Sequence, residues 1–267
     1  MKISVLLPYK ENFSPQYAGA VSLFVKDTSK ISDYKKNITV YGNTKYKKKF
    51  NINYKNLILE KKILNSTSKI YVNNFLENEI SNKSEIIEIH NRPSYIKQIL
   101  KKIKSNIILY YHNDPLSMNG SKSAEEREYI LNNCEYVVVI SEWIKGRFIK
   151  DLNIDQKKLN KIYVIPHSIS KIKNTRIISN KKNNIIFVGK LNSQKGYDIF
   201  GNVILRILKK YKNWNGIVIG DEEREKLVFR HERLKVLGFI EHSKVIKLFE
   251  KSNIAVVPSR WDEPLGR

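Results

Sequence analysis

One stretch of the sequence contains a complete strand, loop and helix start: Ile185-Ile186-Phe187-Val188-Gly189-Lys190-Leu191-Asn192-Ser193-Gln194-Lys195-Gly196-Tyr197-Asp198. Its first four residues form a continuous apolar run, which is typical of a strand buried on both faces. Two glycines and two lysines lie in the short loop, and a helical pattern begins after Gly196. The stretch therefore predicts a parallel strand followed by a covering helix.

The same pattern recurs along the chain. Other short apolar runs lie at Ile3–Leu7, Ile38–Tyr41, Ile86–Ile89, Ile107–Tyr111, Tyr136–Ile140, Tyr163–Ile165, Gly216–Ile219, Leu234–Leu237 and Ile254–Val257. Helical patterns lie between them, at 18–32, 94–104, 123–132, 142–150, 197–211 and 243–251. Strands that alternate with helices predict an α/β protein with doubly wound parallel sheets.

A polar stretch rich in Lys and Asn, 168–184, interrupts this alternation. It predicts two Rossmann-like domains, 1–167 and 185–267, joined by a linker at 168–184. The second domain holds only four predicted strands, and no covering helix follows the last one, although a parallel sheet needs one. We therefore expect that the second domain is incomplete and that the chain is truncated within it.

Composition restricts the class of protein. The chain has 267 residues, 41% of them hydrophobic, which excludes a disordered chain. The single cysteine, Cys134, precedes an apolar run, so we expect a buried thiol in a reducing compartment. No stretch approaches the roughly 18 to 20 apolar residues needed to cross a bilayer. The first residues, Met1–Pro8, are more typical of a strand than of a secretory signal, and we expect a cytoplasmic protein.

The net charge is +23, from 49 Lys and Arg against 26 Asp and Glu. The positive residues are dispersed, and Lys greatly outnumbers Arg, which is the better residue for contacts to phosphate and bases. We therefore expect no nucleic acid partner, although the segment Lys45–Phe50 mixes cations with aromatic residues. A basic surface also suits peripheral contact with an anionic membrane.

Candidate binding residues lie where predicted strands end, because ligands of open parallel sheets gather at the carboxyl ends of the strands. Gly19 lies at the start of the first long helix, where a ligand could approach the backbone amides. Lys190 and Lys195 flank the turn before another helix, where their charge and the helix dipole would favour a diphosphate. After the last strand, Glu263 could accept hydrogen bonds from sugar hydroxyls, and the following amides could face an oxyanion.

Several spaced motifs together resemble glycosyltransferase family 4, a family of retaining enzymes with the two-domain GT-B fold. They are Val188-Gly189-Lys190-Leu191 with Lys195-Gly196-Tyr197-Asp198, Val218-Ile219-Gly220-Asp221, Leu237-Gly238-Phe239-Ile240, and Pro258-Ser259 with Glu263-Pro264-Leu265-Gly266-Arg267. Upstream, Gly19, the strand end before His112 and the Ser141-Glu142 pair match in order. The resemblance covers nearly the whole chain.

The resemblance implies transfer of a sugar from a nucleotide diphosphate sugar to an acceptor hydroxyl, with retained configuration. It gives His112 and Glu263 catalytic roles, Glu263 on the donor sugar hydroxyls and His112 near the reacting centre. It assigns Gly19, Lys190, Lys195, Leu265 and Gly266 to donor binding. His90, at the end of a neighbouring strand, is a candidate for acceptor contact. The resemblance leaves two mechanisms open: direct attack of the acceptor on one face of the sugar, and a route through a covalent intermediate.

We expect neither a metal ion nor another cofactor. The sequence has no Asp-x-Asp triplet, and its five histidines (His90, His112, His167, His231 and His242) are scattered along the chain without paired ligand spacing. The two lysines and the amides near Leu265 and Gly266 would then balance the charge that develops on the leaving diphosphate.

Two departures from the family pattern stand out. Pro166-His167-Ser168 occupies the place where relatives carry Pro-Asn-Gly, and the family's second glutamate would fall eight positions after Glu263, beyond the last residue. The leading hypothesis is a transferase of cell-envelope polysaccharide or lipopolysaccharide assembly with a sugar or lipid-linked acceptor. The alternatives are a nucleotide-sugar or nucleic acid binding protein without turnover and a sugar-nucleotide epimerase of the same architecture.

Overall fold

The structure, a computed structural model, describes residues 1–59, 66–168, 181–262 and 264. Its strands are β1 (Ile3–Leu6), β2 (Ile38–Gly42), β3 (Tyr54–Asn56), β4 (Ile86–His90), β5 (Asn106–Tyr111), β6 (Tyr136–Val139), β7 (Ile162–Val164), β8 (Lys182–Val188), β9 (Asn215–Ile219), β10 (Leu234–Val236) and β11 (Ser252–Ala255). Its α-helices are α1 (Ala20–Ile31), α2 (Thr67–Asn82), α3 (Ser94–Leu100), α4 (Ala124–Asn133), α5 (Glu142–Ile149), α6 (Gln156–Leu159), α7 (Tyr197–Lys210) and α8 (His242–Glu250). The chain separates into two compact units near residue 169.

The first unit is built on a seven-stranded parallel sheet in the order β3-β2-β1-β4-β5-β6-β7. Its central strands are buried on both faces, as their continuous apolar runs predict: Val5, Ile87 and Leu109 are at most 2% exposed. Chain order reverses between β1 and β4. In sheets of this kind the carboxyl ends of the two strands at the reversal open a crevice that binds ligands.

The second unit contains a four-stranded parallel sheet in the order β10-β9-β8-β11. Here the order reverses between β8 and β11. Helix α7 packs on the sheet through Phe200, Ile204 and Leu208, which form a core cluster with Phe187 of β8. The two parallel sheets with helices between their strands confirm the predicted doubly wound α/β class.

All ten predicted strands are present, with ends that differ by at most three residues. The predicted linker extends too far, because β8 begins at Lys182, whose backbone N–H donates to Lys251 O at 3.0 Å. Lys182 and its neighbours are polar but still pair with β11, so the apolar run at Ile185 starts after the strand has begun.

Helix α2 was not predicted. Its sequence is rich in Asn and Ser, residues that form helices weakly. It forms because Tyr71, Phe75 and Leu76 are buried in the core, and because Ser66 caps it by accepting from Lys69 N. Strand β3 was also not predicted, since it has only three residues and two of them are exposed.

Cys134 is buried, as predicted, and burial raises the pKa of its thiol to about 12. Ser141 caps α5, since its hydroxyl accepts from Ile144 N at 3.3 Å. Within the described parts of the chain, no helix has the length and apolar content required to cross a membrane.

Candidate functional site

Three histidine side chains meet at the carboxyl edge of the first sheet. His90 ends β4, His112 follows β5, and His167 lies three residues after β7. His90 Nδ1 is 2.9 Å from His112 Nε2, and His112 Nδ1 is 2.7 Å from His167 Nε2. These three rings, the histidine row, are therefore joined by two hydrogen bonds. They meet in the fold although they are scattered along the sequence.

Neighbouring residues fix the orientation of the three imidazole rings in the histidine row. The ring of Phe24, from α1, stacks on His167 at 4.8 Å and contacts His112 edge-on at 5.1 Å between centroids. Tyr110 stacks on His90 at 4.7 Å. The His112 backbone N–H donates to Asn91 Oδ1 at 2.7 Å. His90 and His112 are 0% and 5% exposed, whereas His167 is partly exposed, so the row runs from the core toward the surface.

Gly19 lies where the sequence predicts it, as the residue before α1. A carboxylate already occupies the space beside it: a Cβ on Gly19 would collide with Glu11, whose Oε1 accepts from Ser22 N at 3.0 Å. A negative charge at this helix start is favourable, because it meets the positive end of the helix dipole. Donor binding at Gly19 stays a prediction, and a phosphate there would have to displace Glu11.

In the second unit, Lys190 and Lys195 lie in the turn between β8 and α7. Lys190 is exposed and Lys195 is partly buried. The turn is held by Asn192, whose Oδ1 accepts from Lys195 N at 3.0 Å and whose carbonyl accepts from Tyr197 N at 3.1 Å. The sequence thus fixes the backbone under Lys195 and leaves Lys190 in solvent.

Two glycines allow the backbone around this turn to pack closely. Gly196 has φ +71°, in the left-handed region, and a Cβ there would collide with the carbonyl of Pro258. Gly220, after β9, has φ +133°, and a Cβ there would collide with the carbonyl of Gly189. The carboxyl ends of β8, β9 and β11 therefore converge on the turn between β8 and α7 that carries Lys190 and Lys195. We call it the lysine turn.

The segment that follows β11 docks on the same turn through Arg260. Its guanidinium pairs with both carboxylate oxygens of Asp198, at 3.0 and 2.9 Å, and donates to Ser193 O at 3.0 Å. The backbone N–H groups of Arg260 and Trp261 donate to Gln194 O at 2.9 and 3.2 Å. The Arg260 hydrogen bonds lower the pKa of Asp198. This segment leads directly to position 263.

Carboxylates also surround the lysine turn. Glu222 accepts from Asn192 Nδ2 at 3.0 Å, and Glu225 accepts from the Ser193 hydroxyl at 2.7 Å. Hydrogen bonds from Arg224 lower the pKa of Glu222 to about 2, so this carboxylate is charged at neutral pH. The two glutamates stabilise the turn that carries Lys195.

Glu263, Leu265 and Gly266 lie outside the described residues, so their roles stay predictions. Among the described residues, no three His, Cys, Asp or Glu side chains are arranged to hold a metal ion. The sequence does not predict that His167, Arg260 and Asp198 belong to these two regions. For His167, the one signal in the sequence was that Pro166-His167-Ser168 departs from the family's Pro-Asn-Gly.

Comparison with known proteins agrees with this architecture. Residues 168–267 match the family "Glycosyl transferases group 1". Over 201 residues, the chain is 24% identical to an uncharacterized 41.2 kDa protein in the cps region of Klebsiella pneumoniae, covering 68% of this chain and 55% of that protein. The chain spans about half the length of the curated relatives it matches.

Solved structures with the same fold include Anabaena Alr3699/HepE in complex with UDP-glucose, with a TM-score of 0.67 and 14% identity over 100% of this chain and 76% of that one. WaaG, a glycosyltransferase involved in lipopolysaccharide biosynthesis, has a TM-score of 0.64 and 12% identity over 97% of this chain and 76% of that one. UDP-GlcNAc 2-epimerase from Neisseria meningitidis, bound to UDP-GlcNAc, has a TM-score of 0.58 and 13% identity over 96% of this chain and 77% of that one. The fold is GT-B.

Proposed function

We propose that this protein is a retaining glycosyltransferase of family 4 that moves a sugar from a nucleotide diphosphate sugar to an acceptor hydroxyl. The second unit binds the donor, and the first unit faces the acceptor. The match of residues 168–267 to the group 1 glycosyl transferases supports the class of reaction. Two proteins of the same fold, a HepE protein and an epimerase, were crystallised with UDP-sugars, which supports a nucleotide sugar as the ligand.

The observation that carries the proposal is the docking of 258–262 onto the lysine turn. Arg260 holds this segment against Asp198 and Ser193, next to Lys195. The segment continues into Glu263, the residue expected on the donor sugar. A diphosphate at the start of α7 would meet the positive end of the helix dipole and the Lys195 ammonium.

The reaction requires charge stabilisation more than a protein nucleophile. The bond from the anomeric carbon to the phosphate oxygen breaks, and its electron pair goes to the diphosphate. The acceptor oxygen bonds to the same face of that carbon, and its proton passes to the departing phosphate. The lysines and backbone amides stabilise the developing negative charge in place of a metal ion.

The acceptor is a sugar or a lipid-linked sugar, and the product belongs to cell-envelope polysaccharide or lipopolysaccharide. A relative named for a cps region and the likeness in fold to WaaG support this setting. The net charge of +23 supports peripheral contact with the anionic inner face of the cytoplasmic membrane.

Release of nucleoside diphosphate from UDP-, GDP- and ADP-sugars by the whole gene product tests the proposal. Lys195→Ala and Glu263→Ala should each lower turnover by about 10²- to 10³-fold, the typical cost of removing one group that stabilises charge in the transition state. Lys209→Ala and Glu250→Ala, at exposed positions near helix ends, are matched controls that should retain turnover.

Unchanged turnover in both Lys195→Ala and Glu263→Ala would overturn the site assignment. Binding of the nucleotide sugar without product would favour a binding protein. A donor recovered with one inverted sugar centre would favour an epimerase, the reaction named for a neighbour of the same fold.

A further inference from the structure

The loop after β2 carries a dense group of cations at residues 45–49, which we call the basic loop. Four of these five residues are lysine, and the surrounding segment 34–59 has seven Lys and no Asp, Glu or Arg. Lys45, Lys47 and Lys48 are exposed. Within the described residues, none of these three lysines pairs with a carboxylate.

Aromatic contacts hold the basic loop in a defined position. Tyr46 stacks on Tyr17 with 5.9 Å between ring centroids. Phe50, directly after the loop, packs edge-on against the buried ring of Phe13 at 5.1 Å. The Lys49 ammonium donates to the carbonyl of Tyr46. Lys49 therefore closes the loop, while the other three lysines face solvent.

The basic loop lies beside the loop between β1 and α1, which ends at Gly19. Tyr17 belongs to that loop, and Thr44 Oγ1 donates to Asn12 Oδ1 of the same loop at 2.9 Å. β1 is one of the two strands between which chain order reverses, so the crevice expected for a ligand lies at its carboxyl end. The exposed lysines are therefore at the carboxyl edge of the first sheet, on the side of the candidate crevice.

Other dense groups of lysine in the chain have a structural role at helix ends. Lys101 and Lys102 follow α3, and Lys209 and Lys210 lie in the last turn of α7. Cations at these positions stabilise the negative end of the helix dipole. The basic loop instead connects β2 to β3, so its charge has no such role and is available for a partner.

We propose that the basic loop binds the anionic headgroups of a membrane surface. Each lysine near such a surface strengthens binding about fivefold. The proposal rests on the proposed function, whose membrane contact it deepens by naming the surface and the orientation. The carboxyl edge of the first sheet, with the loop that ends at Gly19, then faces the lipid.

Single-stranded nucleic acid fits the basic loop less well than lipid. Proteins that bind single strands stack the bases on aromatic side chains. Tyr46 and Phe50 are instead packed on rings of the protein itself. Exposed lysines at neighbouring positions suit a continuous layer of negative charge, which requires no particular arrangement of donors.

Binding of the whole gene product to vesicles tests the surface. We expect binding to vesicles of equal parts phosphatidylcholine and phosphatidylglycerol that weakens at high salt, and much weaker binding to phosphatidylcholine alone. The double variant Lys47→Gln/Lys48→Gln should weaken binding by about 10- to 30-fold, because two cations leave the contact surface. Lys47→Arg/Lys48→Arg keeps both charges and should bind as the wild type does.

Lys101→Gln/Lys102→Gln is the matched control. It removes the same charge from exposed positions of the same unit, but before β5, at the opposite edge of the sheet. Binding should stay within about twofold of wild type. Equal losses in the two double variants, or no binding of the wild type to anionic vesicles, would overturn the proposal. Binding of single-stranded RNA that is lost in Lys47→Gln/Lys48→Gln, without vesicle binding, would assign the loop to nucleic acid.

The single cysteine of the chain allows a test of the orientation. Cys134 is buried, so a dye can be attached selectively after Gln16→Cys, in the loop between β1 and α1, or after Asn106→Cys, at the start of β5. Both positions are exposed. Vesicle lipids with a nitroxide on the headgroup should quench the dye at position 16 more strongly than at position 106. Equal or reversed quenching would contradict the orientation.

Neither measurement requires turnover, so the two proposals fail separately. Absence of vesicle binding would leave the proposed sugar transfer standing. A wild-type protein that binds anionic vesicles through the basic loop but transfers no sugar would refute the proposed function alone.

Discussion

The two units hold their candidate residues by opposite means. In the first, His90 and His112 are buried, and rings of the core and a hydrogen-bonded row fix them in place. In the second, Lys190 is exposed, and the turn that carries both lysines is held by backbone contacts and by ion pairs at the surface. The contrast suggests that the first unit supplies precise geometry and the second supplies charge.

This comparison extends to the arginines. Arg127 of the first unit is 2% exposed and donates to the carbonyls of Ser121, Lys122, Phe148 and Lys150. Arg260 of the second unit has a half-exposed side chain that pairs with Asp198. A buried arginine of this kind is a structural element, whereas an exposed one aligns a loop.

The largest expected effect is therefore at Arg127. Arg127→Met should lower the free energy of unfolding of the first unit by about 3 kcal/mol, because it leaves buried carbonyl groups without donors. Urea unfolding followed by Trp143 fluorescence, with Trp214 and Trp261 replaced by Phe, measures it. Arg206→Met, at an exposed position of α7, should change stability by less than about 0.5 kcal/mol. A loss of unfolding free energy below about 1 kcal/mol in Arg127→Met would contradict the structural role assigned to this buried arginine.

Gly196 and Gly238 come next. Both have positive φ, +71° and +65°, but only Gly196 lies against another backbone segment, the carbonyl of Pro258. Gly238→Ala should cost about 1 kcal/mol from backbone strain alone. Gly196→Ala should cost about 2 to 3 kcal/mol, because the added methyl must also push the segment after β11 away. Equal costs in urea unfolding would mean that this segment is not docked on the turn.

Arg260→Ala should have a smaller effect on stability, below about 1 kcal/mol at pH 7, because the pair with Asp198 is exposed. Arg260 depresses the pKa of Asp198, so the pair stabilises the protein above the ordinary pKa of aspartate. That contribution is lost as pH falls through the folded-state pKa of Asp198. The difference between variant and wild type should therefore shrink in acid to what the hydrogen bond to Ser193 O contributes. A difference as large in acid as at pH 7 would assign the effect to something other than the pair.

The smallest effect is expected at Glu222. Arg224→Ala should raise the pKa of Glu222 from about 2 toward the ordinary value near 4.3, because the side chain of Arg224 donates the hydrogen bonds that keep it low. A ¹³C NMR titration of the Glu222 carboxyl group measures the shift. An unchanged pKa would mean that Asn192 and the turn, rather than Arg224, hold the carboxylate charged.

The sequence predicted the sheets well, because buried parallel strands such as Ile185–Val188 are short continuous apolar runs. It did not predict α2, whose Asn- and Ser-rich sequence forms a helix only through tertiary burial of residues such as Phe75. His112 and His167 are 55 positions apart, and no local pattern indicates that they meet. The pairing of Arg260 with Asp198 depends in the same way on the arrangement of β8 and β11. Lys190 and Lys195 were found because a strand end, a glycine and a helix start lie within one short segment.

The central claim is that lysine and backbone donors, rather than a bound metal ion, stabilise the departing diphosphate. Turnover of the preferred nucleotide sugar by the whole gene product in excess EDTA tests this claim most directly. We predict the same rate in EDTA as in the untreated enzyme, and a loss of turnover in Lys195→Ala whether or not EDTA is present. A rate that falls to background in EDTA and returns with Mg²⁺ or Mn²⁺ would contradict it.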